Sequence, residues 1–264
     1  MAEKTKRVAL VTGSTSGIGL GIAHRLASAG CDIIVHGFAP QNIIDDALAE
    51  LRIQHNDCKI SFAGADFLKE DEIDAMCMEV LKLYPKGIDI LINNAGFNEV
   101  CLLEDCSMEL WHRMIAVHLT SAFMLTKWAL PLMKKKGWGR IVNTSSQMGL
   151  ISTPGKVPYG CAKSGLIVLA KGAALEGAEY GVTCNAICPG FVETDLLKIQ
   201  IGKMASEKQI SYEIARDQWF AGSNPTKKPV SVEQVAALVG FLCSEEAASI
   251  TGSAHSIDGG YTAR

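Results

Sequence analysis

The sequence lacks the features that mark several classes of protein. Its 264 residues include 25 basic and 28 acidic side chains. No basic excess exists to neutralise a phosphate backbone, so we expect no nucleic-acid partner. Aromatic residues make up only 6% of the chain and apolar residues 48%, which is typical of an aliphatic core. No apolar run reaches the roughly 18 residues needed to span a bilayer, so we also expect no membrane partner.

The nine cysteines form neither a CxxC pair nor a Cys/His cluster with zinc spacing. We therefore predict no metal site and interpret the thiols as reduced, as in a cytoplasmic protein. The first strand is predicted to start near Val8, which leaves no room for a signal peptide or transit sequence. Cytoplasmic localisation is the resulting expectation.

Short apolar runs alternate with longer stretches of helical periodicity. This alternation predicts an α/β fold, a single Rossmann-type doubly wound parallel sheet of about seven strands with helices on both faces. No linker or repeat interrupts the pattern, so residues 1–264 are expected to form one domain. The predicted strands are 8–11, 33–35, 60–63, 88–92, 140–143, 183–187 and 254–257. Stretches with helical periodicity include 17–29, 43–54, 70–84, 108–135 and 156–179.

Residues 194–228 depart from this pattern, because they are more polar and end in Gly-Ser-Asn-Pro-Thr-Lys-Lys-Pro. An insertion late in an α/β fold often covers a site. We predict a substrate lid over about 194–228, and a surface excursion is the alternative.

A glycine-rich turn follows the first predicted strand and opens the first predicted helix. Gly13, Gly17 and Gly19 would let the backbone approach a diphosphate closely, beside the unpaired N–H groups of the helix N-terminus. A tight turn without a ligand is the alternative. The strand–turn–helix context favours dinucleotide binding.

The G-x3-G-x-G spacing of this turn resembles that of the short-chain dehydrogenase/reductase family, and the resemblance extends over nearly the whole chain. It includes residues 93–96 (Asn-Asn-Ala-Gly), the Tyr159-x3-Lys163 pair, Pro189-Gly190 and residues 258–260 (Asp-Gly-Gly). The resemblance implies a homotetramer with helices 108–135 and 156–179 paired between subunits, and a nicotinamide cofactor. The implied cofactor-binding residues are Gly13, Thr15, Ser16, Gly17, Ile18, Gly19, Phe38, Asp66, Phe67, Asn93, Ala95, Gly96, Tyr159, Lys163, Pro189, Gly190, Val192 and Thr194.

Tyr159 and Lys163 have the spacing that places two side chains on one helix face. Ketone reduction needs a proton donor for the developing alkoxide, and a nearby lysine would lower the pKa of a tyrosine toward that use. Ser146 follows the fifth predicted strand and matches the family's catalytic serine, which holds the substrate oxygen. Its neighbour Ser145 is the less favoured candidate. His118 stands where the family has a relay asparagine, and it either keeps an altered relay or only packs.

Discrimination between NAD and NADP depends on the residues that follow the second strand, where a carboxylate binds the ribose 2′-hydroxyl or an arginine the 2′-phosphate. The sequence at 34–39 is Ile-Val-His-Gly-Phe-Ala, with neither group, and the glycine-rich turn lacks a basic residue. We predict NAD, with Phe38 near the adenosine, a preference that a protonated His36 would weaken. Asp66 matches an adenine-contacting acid, and a helix cap before Lys69 is its alternative.

Within the family, the chain is most similar to the bacterial-type D-3-hydroxybutyrate dehydrogenases, with shared stretches at 12–21, 37–38, 185–190 and 262–264. Those enzymes hold a small carboxylate with a lysine, glutamines and a histidine, and line the pocket with tryptophans. The resemblance makes Lys156 the carboxylate-binding lysine and Gln200 a lid glutamine, whereas a solvated Lys156 is the alternative. The departures are Asn98 for a glutamine, Met148 for the histidine, and Phe191 and Tyr261 for the tryptophans.

The resemblance implies a secondary-alcohol substrate, a 3-hydroxy acid such as D-3-hydroxybutyrate, and these departures predict a somewhat larger or more apolar analogue. A reductase of 3-oxoacyl thioesters or of a cyclic ketone is a second candidate. A non-catalytic module that senses dinucleotide redox state is a third, suggested only by His118. The intact set of Ser146, Tyr159 and Lys163 argues against that third function.

Overall fold

The computed structural model describes residues 6–263, apart from a few side chains at 195–196 and 222–223. Residues 1–5, which precede the first strand and were used to predict that there is no signal peptide, lie outside the described residues. Arg264, the last residue of the C-terminal stretch shared with the family, also lies outside them. The strands are β1 (Val8–Val11), β2 (Asp32–Val35), β3 (Ile60–Phe62), β4 (Ile90–Asn93), β5 (Gly139–Thr144), β6 (Val182–Pro189) and β7 (Ala254–Ile257). The helices are α1 (Gly17–Ser28), α2 (Gln41–Gln54), α3 (Glu70–Leu83), α4 (Met108–Ile115), α5 (Ser121–Lys136), α6 (Val157–Gly177), α7 (Asp195–Lys208), α8 (Tyr212–Ser223) and α9 (Val232–Leu242).

The seven strands form one parallel sheet in the order β3-β2-β1-β4-β5-β6-β7. Side chains alternate between its faces, as the period of a strand requires. Leu10, Ile34 and Leu91 pack with α3, α5 and α6 on one face. Val11 and Ile33 pack with α1, α2 and α9 on the other. The predicted doubly wound parallel sheet is confirmed.

The order of strands reverses between β1 and β4, because the chain first builds outward through β2 and β3 and then returns. At such a switch point the loops leave the two central strands on opposite faces and open a crevice at their carboxyl ends. The topology therefore fixes the ligand site between the loops after β1 and β4.

The predicted helix 108–135 is interrupted by a π-helical turn at Ala116–Thr120. The continuous helical stretch Met108–Lys136 has 29 residues and contains an 18-residue window with a mean hydropathy of 1.2, enough by length and composition to cross a membrane. Core helices of globular proteins share these properties. Leu125, Ala129 and Met133 of this stretch are buried beneath the sheet. Its length and composition alone are therefore weak evidence that this stretch crosses a membrane.

Helices α7 and α8 fill the segment predicted as a lid, and they share a small core separate from those of the sheet. Leu197, Ile201 and Phe220 are its centre. Arg216 on α8 donates to both carboxylate oxygens of Glu193, at 2.7 and 3.0 Å, which ties α8 to the loop after β6. The segment is an ordered helical pair anchored beside the sheet's carboxyl edge.

Candidate active site

A cavity of about 750 Å³ opens at the carboxyl ends of β1, β4, β5 and β6. The glycine-rich turn lines one end, and Ser146, Tyr159 and Lys163 line another part of the same space. The predicted residues that line it are Gly13, Thr15, Ser16, Gly17, Ile18, Gly19, Phe38, Asp66, Phe67, Ala95, Gly96, Asn98, His118, Ser146, Tyr159, Lys163, Pro189, Gly190, Phe191, Val192, Thr194 and Gln200.

The glycine-rich turn requires residues without a Cβ. Gly13 has φ +62°, and a Cβ there would lie 2.8 Å from Cα of Ala95. A Cβ on Gly19 would lie 2.1 Å from the carbonyl oxygen of Gly13. Thr12 fixes the turn to the β4 loop, since its Oγ1 accepts from the backbone N–H groups of Asn94 and Ala95 at 2.8 and 2.9 Å. The turn is therefore held by close backbone approach at its glycines and by side-chain hydrogen bonds from Thr12 and Asn94.

The start of α1 offers backbone donors to an anion. Ser16 is its N-cap residue, yet its side chain makes no capping hydrogen bond. The first N–H groups of α1 thus keep their donors for a ligand, and the helix dipole favours a negative charge there. Together with the Cβ-free cradle at Gly13 and Gly19, this donor set fits the diphosphate of a dinucleotide.

His36 lies where the two nicotinamide cofactors differ. Its Nδ1 accepts from the Gly13 N–H at 3.2 Å, its Nε2 lies 3.2 Å from the Ala65 carbonyl oxygen, and its ring stacks on Phe67 at 4.2 Å. Burial lowers the pKa of His36 to about 4. The imidazole of His36 is therefore neutral at neutral pH, and both of its ring nitrogens lie within hydrogen-bonding distance of backbone groups. His36 provides no cation there.

Phe38 and Asp66, the other two residues predicted near the adenosine, differ in their surroundings. Phe38 is 76% exposed and lines the cavity. Asp66 also lines it and accepts from the Leu68 N–H at 3.0 Å in the turn before α3. Because the N-cap residue of α3 is Lys69, Asp66 stabilises the preceding turn rather than capping the helix itself.

Ser146, Tyr159 and Lys163 come together at the centre of the cavity. Tyr159 hydrogen-bonds with the Ser146 side chain. The Lys163 Nζ lies 5.4 Å from the centre of the Tyr159 ring and donates to the Thr144 carbonyl oxygen at 2.7 Å. Ser145 also lines the cavity, but its hydroxyl donates to the Lys163 carbonyl oxygen at 2.8 Å, which fixes α6 to β5. The two serines therefore differ in their hydrogen-bond partners.

The pKa of Tyr159 differs from the sequence-based expectation. Burial raises it, and the hydrogen bond with Ser146 lowers it by less. Burial also lowers the pKa of Lys163 to about 7, so this lysine is only half protonated near pH 7. Both shifts have one physical cause, since a dry site disfavours either charged form.

His118 lies in the π-helical turn, 3% exposed, with its ring edge-on to Tyr159 at 5.5 Å. Its Nε2 is 2.8 Å from the carbonyl oxygen and 3.2 Å from the amide nitrogen of Phe97. Its Nδ1 is buried without a hydrogen-bond partner among the described residues. Burial, and then the nearby Lys163, lower the pKa of His118 well below its usual value. A neutral imidazole therefore sits beside the tyrosine.

Three of the predicted substrate residues lie outside the cavity lining. Lys156 donates to the Asn98 side-chain oxygen at 2.7 Å. Met148 is buried and its sulfur accepts from Thr153. Tyr261 packs edge-on against Phe191 at 6.1 Å. Asn98, Phe191 and Gln200 do line the cavity.

Asn93, predicted to bind the cofactor, does not line the cavity. Its Nδ2 donates to Asn143 at 2.8 Å and Thr126 at 3.2 Å, so it joins β4, β5 and α5 inside the fold. The motif residue that reaches the cavity is its neighbour Asn94. The motif is correctly placed, but the first amide is turned inward by the alternation of the strand.

The sequence analysis missed several cavity residues. Arg113, Val117 and Phe97 line it, and so does Leu197 from α7. Arg113 and Val117 are four residues apart in one helical stretch, which puts them on one face beside His118. This four-residue spacing is the sequence feature from which both cavity residues could have been predicted.

Comparison with known proteins agrees with this architecture. Residues 7–203 match the family model described as short chain dehydrogenase. A D-beta-hydroxybutyrate dehydrogenase of Rhizobium meliloti (strain 1021) is 45% identical over 261 residues, 98% of this chain and 99% of that protein. A 3-oxoacyl-[acyl-carrier-protein] reductase of Aquifex aeolicus (strain VF5) is 39% identical over 96% of each chain.

Among solved structures, an actinorhodin polyketide ketoreductase with NADPH superposes with a TM-score of 0.90, at 33% identity and full coverage of both chains. The family match spans well over half of the sequence, and the fold and the cavity have the corresponding form. The chain belongs to the short chain dehydrogenase family. It is an oxidoreductase with the Rossmann fold that binds a nicotinamide dinucleotide in this family.

Proposed function

We propose that the protein interconverts a secondary alcohol and a ketone with NAD, with a hydroxy acid as substrate. The observation that carries this proposal is the convergence of Ser146, Tyr159 and Lys163 in one cavity with the glycine-rich turn. When bound, NAD supplies the acceptor for the hydride that leaves the carbinol carbon. The cofactor would be held by the glycine-rich turn, the start of α1, the loops after β4 and β6, and Tyr159 and Lys163.

In the proposed oxidation, Ser146 holds the substrate oxygen and the ionised form of Tyr159 accepts its hydroxyl proton as the hydride leaves the carbinol carbon. The protonated form of Lys163 stabilises the ionised form of Tyr159. When Lys163 is neutral, the dry site keeps Tyr159 neutral as well. In the reverse direction, Tyr159 returns the proton to the developing alkoxide.

The choice of NAD over NADP is supported by the charges at the ribose end. The neighbouring residues are neutral His36, Phe38 and Ala39, and Asp66 is the one acid in the cavity lining. A 2′-phosphate would meet no cation there and would face a carboxylate, at a cost in desolvation. Comparable catalytic efficiency with NADP would contradict the proposal.

A hydroxy acid is supported by the 45% identical relative, whose name gives D-beta-hydroxybutyrate as substrate. Because apolar Phe191 and Leu197 line the cavity here, D-3-hydroxybutyrate or a larger or more apolar analogue is the proposed class. Reduction of 3-oxoacyl thioesters is the second candidate, favoured by the 39% identical relative of that name.

An oligomeric state, a substrate lid and a cellular location are proposed together with the activity. A homotetramer would pair α5 and α6 between subunits, where Phe123 and Leu175 are exposed. α7 and α8 would act as the substrate lid of a single domain. The nine cysteines are unpaired, in keeping with a reducing cytoplasm.

NADH formation over a panel of secondary alcohols and 3-hydroxy acids tests the proposal. Tyr159→Phe removes the hydroxyl that moves the proton, and we expect at least a 100-fold loss of kcat, following the usual size of acid–base catalysis. Ser145→Ala is the matched control, since it removes the neighbouring hydroxyl, which donates to the Lys163 carbonyl oxygen. A non-catalytic dinucleotide sensor would bind NADH yet oxidise no alcohol, and Tyr159→Phe would change nothing.

A further inference from the structure

The cavity contains a permanent cation that the proposed chemistry does not use. Among the described residues that line it, two carry lysine or arginine side chains, Lys163 and Arg113. Lys163 is buried and bonded to Thr144 beside the reacting groups. Arg113, on α4, is 43% exposed and keeps its charge at any physiological pH.

Arg113 is in contact with Phe97 and not with the catalytic tyrosine. Its guanidinium carbon is 5.2 Å from the centre of the Phe97 ring. The Phe97 ring is 5.5 Å from that of His118, and the His118 ring is 5.5 Å from that of Tyr159. A group bound by Arg113 would therefore lie beside Phe97, whereas the described cations over the Tyr159 ring are those of Lys156 and Lys163.

The guanidinium has donors to spare. Its ion-pair partner among the described residues is Glu99, whose Oε2 is 3.8 Å from Nη1, longer than a charge-assisted hydrogen bond. The carboxamides of Asn98 and Gln200 line the same cavity. Guanidinium and amide N–H groups are the donors that bind a carboxylate.

The predicted carboxylate-binding lysine is engaged elsewhere. Lys156 donates to Asn98 at 2.7 Å and does not line the cavity. Burial lowers the pKa of Lys156, which weakens it further as an anion-binding group. Of Lys156 and Arg113, only Arg113 lines the cavity.

The anionic parts of the cofactor do not explain Arg113. A diphosphate would lie against Gly13–Gly19 and the start of α1, and a ribose 2′-substituent would lie near His36 and Phe38. Arg113 instead borders Phe97 and Val117, next to His118. Its position is that of a substrate residue.

We infer that Arg113, with the amides of Asn98 and Gln200, holds the carboxylate of the substrate. The substrate class is then a hydroxy acid with more than one methylene between the carbinol carbon and the carboxylate, with the spacer packed on Phe97, Leu197 and Phe191. This inference rests on the proposed oxidation of a hydroxy acid by NAD and specifies which acid the cavity selects.

A homologous series tests it. The methyl carbinols 3-hydroxybutyrate, 4-hydroxypentanoate and 5-hydroxyhexanoate differ only in having one, two or three methylenes in the spacer, and 2-pentanol lacks the carboxylate. We expect the wild-type protein to have a higher kcat/KM for the two longer acids. Arg113→Gln should raise KM for these acids about 10- to 100-fold, the usual worth of a hydrogen bond to a charged group.

In the same variant, kcat should change by less than about threefold, because Arg113 is remote from the reacting atoms. The rate with 2-pentanol should not change. Lys82→Gln, at an exposed lysine of α3, is the matched control for loss of a positive charge. The inference is overturned if 3-hydroxybutyrate is the best acid and Arg113→Gln leaves its KM unchanged, or if Lys156→Gln causes the loss of affinity instead.

Failure of the proposed function has a different signature, namely no NADH from any alcohol and no effect of Tyr159→Phe. In that case the anion site is measured directly, by calorimetric titration of hexanoate into the protein with NAD. Tighter binding to the wild-type protein than to Arg113→Gln supports the site, and equal binding overturns it.

Discussion

His118 illustrates how one substituted residue changes a site without changing its fold. Its Nε2 lies between the N–H and the carbonyl oxygen of Phe97, and the shorter distance, 2.8 Å, is to the oxygen. An Nε2–H tautomer that donates to this oxygen leaves Nδ1 as a buried acceptor next to Gly96, where a Cβ would lie 2.6 Å from Nδ1. The imidazole therefore ties the loop that carries Phe97 and Asn98 to the π-helical turn between α4 and α5, and its lowered pKa disfavours an imidazolium relay.

Substitution of His118 separates positioning from relay. His118→Asn shortens the side chain and breaks the contact with Phe97, so we expect KM for the hydroxy acid to rise about 3- to 10-fold, the worth of one hydrogen bond. The pH profile of kcat should keep its shape. His118→Gln retains an N–H near the position of Nε2 and should restore KM in part. Loss of one limb of the pH profile in His118→Asn would instead show that the histidine relays protons.

At the scale of elements, the sequence predicted most of the fold, because hydrophobic periodicity follows the packing of each element on the sheet. The starts of β4 and β5 moved by one or two residues, where strand ends depend on pairing rather than on pattern. Helix α9 (Val232–Leu242) was absent from the predicted examples. Its capping box of Ser231 and Gln234 was the readable signal.

The site was predictable where it depends on backbone motifs and less so where it depends on side-chain direction. The glycine-rich turn and the Tyr159–Lys163 pair need a fixed spacing, so the sequence identifies them. Asn93 faces inward, Lys156 bonds to Asn98, and Arg113 enters the cavity, all of which depend on rotamers and on the π-helical turn. A linear pattern contains no marker of these orientations.

The pair α7–α8 is attached near the cavity by one bidentate bond and by the packing of Trp219 on Phe191. Glu193 lies between the cavity residues Val192 and Thr194, so the Arg216–Glu193 bond joins α8 to the cavity wall. Arg216→Gln should raise substrate KM about 3- to 10-fold through looser closure of Leu197 and Gln200, at a stability cost near 1 kcal/mol because the pair is partly exposed. Steady-state kinetics and thermal unfolding measure the two effects.

Arg216→Lys serves as the matched variant, since it keeps the charge but loses the bidentate geometry, and it should give an intermediate KM. If Arg216→Gln lowers the melting temperature while KM stays at the wild-type value, the bond contributes to stability alone and α7–α8 is not a lid.

For the whole molecule, the catalytic centre is a source of instability that the rest of the fold offsets. Lys163 is 4% exposed, and burial lowers its pKa from 10.5 to about 7. The unfolded chain therefore binds more protons than the folded one between about pH 7 and 10.5, so stability rises with pH in that window. Below pH 7 both states are protonated, and the full cost of burying the ammonium group is present.

Lys163→Met should remove this cost and the activity together. We expect the variant to unfold with a free energy about 1–3 kcal/mol higher than the wild-type protein at pH 6, because an apolar side chain of similar length replaces a buried charge. The gain is partly offset by the unpaired carbonyl oxygen of Thr144. The difference between the two proteins should shrink as pH rises from 7 toward 10, since Lys163 becomes neutral in the folded state. Denaturant unfolding of both proteins at several pH values measures it. A variant that is less stable at pH 6, or a difference that does not change with pH, would mean that the hydrogen bond to Thr144 outweighs the desolvation of the lysine.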